Sequence, residues 1–146
     1  MNPALPELLT GLAIAIATPA PPESAGDYMA GRLGIVAMIA GLAAQEAEVG
    51  PAVRLWESDA IGELLAQALA QYDAGLGGQM SAALQAAREN TDFSWSGLDA
   101  VNATLRRALI ALHEAVEAAA DRAVDRRILE LYAQMAERRR LRLPGE

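Results

Sequence analysis

Apolar side chains recur at intervals of three and four residues through most of this chain, and the places where that rhythm stops divide it into helices. Leu5, Leu8, Leu9, Leu12 and Ile16 share one face of a first helix that starts at Pro3 or Pro6 and ends at Ala17. The Thr18-Pro-Ala-Pro-Pro22 segment ends it, because proline lacks an amide donor and restricts the residue before it. Ser24 and Asp27 form a Ser-x-x-Asp start signal for a second helix from Ala25 to Val49. Its middle is apolar on nearly every side, which predicts a central position. A stripe of Ala30, Gly34, Ala37, Gly41 and Ala44 predicts a close helical neighbour, so that Gly41→Leu would disrupt the packing.

Gly50-Pro51 reads as a break followed by a new helix with proline at its first position. From there Val53, Trp56, Ala60, Ile61, Leu64, Leu65, Ala68, Leu69 and Tyr72 keep the 3.6-residue period to about Asp73. Gly75, Gly77 and Gly78 predict a flexible joint, and Met80, Ala83, Leu84 and Ala87 a short fourth helix. Asn90 to Ser96 reads as a loop, with Ser96 and Asp99 as the next start signal and Trp95 as a hydrophobic staple. Leu98, Val101, Leu105, Leu109, Leu112 and Val116 mark a strongly amphipathic fifth helix, and Val124, Ile128, Leu131, Tyr132 and Met135 a further apolar stripe. An unbroken rod over residues 97–140 would be about 66 Å long, so a break is expected between Ala118 and Asp125. No strand-like alternation or repeat interrupts this pattern. The expected fold is an all-α, single-domain bundle of five or six helices with a central apolar helix and an Arg-rich tail over residues 138–146.

Composition strengthens the helical reading and narrows the chemistry. Alanine, the best helix former, supplies more than a fifth of the residues. Mean hydropathy is +0.14, on the apolar side for a globular chain. Cys is absent and His occurs once, which removes disulfides, thiolate metal sites and cysteine nucleophiles. The net charge of −7 resolves into −9 for residues 1–105, with three Arg against twelve acids, and +2 for residues 106–146, with nine Arg against seven. An acidic chain repels phosphate backbones, so nucleic acid is not an expected partner. The strictly apolar run from Leu33 to Ala44 makes about 18 Å of helix, short of a hydrocarbon core near 30 Å, so no membrane span is expected. No basic region precedes the first apolar run, and a cytoplasmic location is the default.

Candidate sites are few. His113 and Glu117 are spaced to reach one metal, but a di-metal bundle needs Glu-x-x-His motifs and further acids that this chain lacks, so no metal or cofactor is expected. Asp121 and Asp125 lie one turn apart beside Arg122, Arg126 and Arg127, as in an exposed charge lattice. Arg32, alone in an apolar helix, is expected to pair with an acid such as Glu57 or Asp99 or to anchor an anionic ligand. Glu46, on the side of Leu42, could meet an arginine at an interface. Arg138, Arg139, Arg140 and Arg142 suit a helix C-terminus, or a dock for an acidic surface. Asn102-Ala103-Thr104 matches the glycosylation pattern within a helix, and no nucleophile elbow or phosphate loop is present.

The segment from Arg32 through Gln45-Glu-Ala-Glu-Val-Gly-Pro-Ala52 to Leu64-Leu65 resembles a bacterial family of small helical proteins of unknown function. The likeness covers roughly residues 28–70. The family's mid-helix asparagine has no counterpart, Met38 or a neighbour standing in its place. The resemblance implies a setting, since such proteins tend to be encoded beside acyl-CoA dehydrogenases and aminoglycoside-phosphotransferase-like kinases, and it transfers no catalytic residue.

The expected function is that of a non-catalytic helical bundle that binds a protein partner or itself, as a homodimer, with Trp56, Tyr72, Phe93 and Trp95 as possible anchors. The alternative is a carrier or sensor for an apolar small molecule, its pocket lined by Met38, Leu42, Trp56, Leu109 and Leu112 and gated by Arg32. An enzyme using Glu, Asp or His113 as acid or base is the third reading.

Overall fold

A computed structural model describes residues 5–17, 25–72 and 74–142. They form five α-helices: α1 (Leu5–Ala17), α2 (Ala25–Ala68), α3 (Ala74–Glu89), α4 (Trp95–Ala119) and α5 (Arg122–Arg138), with a 3-10 turn at Leu69–Gln71 after α2. The fold is all-α, and the long apolar helix is central to it. The chain divides into two compact units, residues 1–50 with 139–146, and residues 51–138.

In the unit of residues 51–138 the sequence period and the packing agree. The core takes Ile61, Leu64, Leu65 and Ala68 from α2, Met80 and Ala83 from α3, Leu105, Leu109, Leu112 and Val116 from α4, and Ile128, Leu131 and Met135 from α5. These are the phased positions, and period-matched stripes on four helices close one apolar interior. The glycines expected to make a joint lie inside α3 instead. Glycine costs about 1 kcal/mol per helical position relative to alanine, which the docking of Leu76, Met80 and Ala83 on the core offsets.

One expected start moves and one holds. The cap of α4 is Ser94 rather than Ser96: its hydroxyl accepts from the Gly97 amide at 3.2 Å, while its own amide donates to Asp92 Oδ1 at 2.9 Å. Gly97 makes this possible, since a Cβ there would sit 2.4 Å from the Asp92 carbonyl oxygen. The expected break between Ala118 and Asp125 is present. Ala120 adopts the left-handed conformation (φ 53°), and the amides of Ala120 and Asp121 return to the carbonyls of Glu117 and Val116, each at 3.1 Å. Asp121 then caps α5, accepting from Ala123 and Val124 at 3.1 and 3.2 Å.

The expected break at Gly50-Pro51 is not a break in the helix: α2 passes through it with Pro51 inside. Proline removes one donor and crowds the preceding turn. Gly50, without a Cβ, eases the second effect, and the division between the two compact units falls at this dipeptide.

In the unit of residues 1–50 and 139–146, α1 lies antiparallel to the first half of α2. Gly11 faces Ile39, and Arg32 donates to the Ala15 and Ile16 carbonyls at 2.8 Å each, covering the end of α1. The Gln45 side chain exchanges two hydrogen bonds with the Arg142 backbone, at 2.8 and 2.9 Å. Few of its described side chains are buried. Leu8 and Ala43 are, while Leu33, Ile35 and Met38 are 62, 50 and 38% exposed. Among the described residues, a Cβ on Gly34 or Gly41 of the small-residue stripe meets nothing within 4 Å. Helix Gly31–Gln71 is long and apolar enough to cross a membrane by length and composition alone. The Thr18-to-Pro22 connector and the Ser24 start signal lie outside the described residues, as does the end of the Arg-rich tail from residue 143.

Candidate functional site

Two polar clusters stand out in the unit of residues 51–138. The first joins α4 to α5. His113 Nε2 lies 3.0 Å from Asp125 Oδ1 and 3.9 Å from Glu117 Oε1, and the ring meets Tyr132 edge-on at a centroid distance of 5.6 Å. Helical spacing brings Glu117 to His113, and the Ala120 turn brings Asp125 across from the next helix. Burial pushes the Tyr132 hydroxyl above its ordinary value, against the pull of Arg106 and with a smaller push from Glu117. Burial, and then the charge of Asp121, likewise raises Tyr72. A shallow cavity of about 250 Å³ opens beside the cluster, lined by Val116, Glu117, Ala120, Asp121, Arg122 and Asp125.

This cluster holds an imidazole in place but does not complete a reactive set. Both carboxylates lie on the side of the same ring nitrogen, and Asp125, within hydrogen-bond distance, fixes the ring's orientation. No hydroxyl nucleophile lines the cavity. Among the described residues no group of three or more His, Asp or Glu is arranged to hold a metal ion. The expected Asp121–Asp125 charge lattice resolves into two separate jobs, a helix cap and a histidine partner.

The second cluster sits where α2 and α4 bury polar side chains. Glu57, Asn102 and Arg54 are 0, 3 and 4% exposed. Arg54 pairs with Asp99, whose side chain remains 44% exposed, and stacks over Trp95 at 4.4 Å. Asp99, one of the two acids expected beside Arg32, thus belongs to Arg54, and Arg32 donates to the carbonyls at the end of α1. Arg54 and Glu57 were legible as candidates, because they stand seven and four residues before Ile61 in the core phase of the helix. A buried guanidinium held by a carboxylate and an aromatic face fixes how two helices meet more than it offers chemistry.

The remaining expected residues separate. Leu109 and Leu112 are fully buried in the core, with Trp56 packed at its margin under Arg138, whose guanidinium lies 4.1 Å from the ring centroid. Arg138, although exposed, is therefore a stacked side chain at the end of α5. Tyr72 packs on the same core, whereas Phe93 is 68% exposed. Met38, Leu42, Glu46 and Arg32 belong to the other unit, where Glu46 is buried. Asn102 is buried, which removes it as a glycosylation acceptor. No family model, curated protein or solved structure matches this chain.

Proposed function

We propose that this protein is a non-catalytic helical interaction protein that acts by binding itself or a protein partner. One contrast carries the reading: residues 51–138 close a complete core, while α1 and the first half of α2 leave Leu9, Ile14, Ile16, Leu33 and Ile35 at least half exposed. Apolar surface on that scale marks an interaction site. The packing of Leu109 and Leu112 in a closed interior favours this over an apolar-ligand pocket, and the His113 cluster supplies no nucleophile for a catalytic role. The resemblance of residues 28–70 to the bacterial helical family sets the role in an accessory position near acyl-CoA metabolism.

Sedimentation velocity of the full chain across a hundredfold range of concentration, joined to co-purification from its native host, tests the proposal. A dimer or a defined complex is expected. A monomer at the highest concentration with no co-purifying protein overturns it.

A further inference from the structure

We infer that the flank formed by α1 and the first half of α2 is the homodimer surface, packing against the same flank of a second copy. The inference rests on the self-association reading above and assigns it a place.

The exposed residues Leu33, Gly34, Ile35, Ala37, Met38 and Ala40 spread, at about 100° per residue, over roughly 220° of the helix circumference. A single amphipathic contact needs an apolar stripe only somewhat wider than 100°. The surface therefore has room for two neighbouring helices, which is what a second helical hairpin supplies. Area agrees. Residues 25–50 make a cylinder about 39 Å long and α1 one about 20 Å long; at a diameter near 10 Å, half their combined lateral surface is about 900 Å². A stable interface buries about 800 Å² on each partner.

Lipid and an unrelated protein fit less well. By length and composition helix Gly31–Gln71 is able to cross a membrane, but its uncharged run between Arg32 and Glu46 spans only about 20 Å against a hydrocarbon core near 30 Å. The flank also carries both halves of a complementary contact. Leu33, Ile35 and Met38 project, and Gly34 and Gly41 leave open space where a partner's side chain can enter. A twofold contact requires that one patch provide the knobs and the holes alike.

The chain has no cysteine, so engineered thiols report without background. In the full-length protein, Ile35→Cys and Met38→Cys should form intermolecular disulfides under mild oxidation, while Leu129→Cys, exposed on α5, should not. The double substitution Leu33→Lys with Ile35→Glu should raise the dimer dissociation constant at least 30-fold in sedimentation equilibrium, with an unchanged helical circular dichroism spectrum. Gly41→Leu, whose Cβ meets nothing within 4 Å, should weaken the dimer without loss of helix. A wild-type dimer with neither cross-link nor weakening overturns this surface and leaves self-association standing. A wild-type monomer overturns both readings. Flotation of the wild-type chain with phosphatidylcholine vesicles overturns the second copy in favour of lipid.

Discussion

Residues 51–138 and the described part of residues 1–50 are both helical and rich in apolar side chains, yet only the first closes a core. Of the twelve large apolar side chains that are exposed among the described residues, eight lie before residue 51. The difference is phase. After Pro51 the apolar residues fall on one stripe per helix and the polar ones on the other, so four helices bury the same side together. Before it the apolar residues surround the first half of α2, and among the described residues α1 covers only part of the circumference. Apolar content thus sets how much surface asks for burial, and periodicity decides whether the chain itself can answer.

The sharpest way to break that contrast is truncation on each side. Leu109→Ala, in the closed core, is expected to cost about 2 to 5 kcal/mol in urea unfolding. Leu33→Ala, measured at concentrations too low for self-association, is expected to change stability by less than about 0.5 kcal/mol. Equal losses would mean that both units are packed alike.

A pair of glycines sharpens it further. Gly97→Ala drives a Cβ to within 2.4 Å of the Asp92 backbone and should destabilise by about 1 to 3 kcal/mol. Gly41→Ala meets nothing, gains helix propensity and should leave the monomer unchanged or stabilise it by up to about 1 kcal/mol. Thermal melts should therefore show a loss for Gly97→Ala and none for Gly41→Ala. Smaller still is Ser94→Ala, which removes the α4 cap at a cost of about 1 kcal/mol, read from the shift in the urea midpoint.

The smallest effect is a titration. The Ser94 hydroxyl and amide hold the exposed Asp92 carboxylate below its ordinary value of 3.8. A group with a lowered native pKa adds stability above the unfolded value, and that contribution fades as pH falls through the native one. Acid unfolding should accordingly show a slight extra loss below pH 4 that Asp92→Asn lacks.

Much of the fold was legible in the sequence. Leu105, Leu109, Leu112 and Val116 announced α4, and the length of a continuous rod called for the turn that Ala120 makes. Gly50-Pro51 misled as a helix break, because one lost hydrogen bond does not outweigh the bonds on either side, and the dipeptide marks the division between the two units instead. The glycines of α3 misled for a similar reason: local propensity yields to the burial of Leu76 and Met80. The polar clusters were harder. His113 and Glu117 share a helix and could be paired on paper, but Asp125 reaches them only through a reversal of the chain. Likewise, the partnership of Arg54 with Asp99 and Trp95 depends on how two helices cross, which spacing alone does not encode.

The compactness of residues 95–138 hangs on one torsion angle. With Ala120 in a right-handed conformation, α4 would run straight into α5 as a shaft of about 66 Å, and Ile128, Leu131 and Met135 would be carried away from the interior they complete. An alanine in a posture better suited to glycine is thus the latch that keeps the last helix folded back, and Ala120→Gly should tighten it by about 1 kcal/mol.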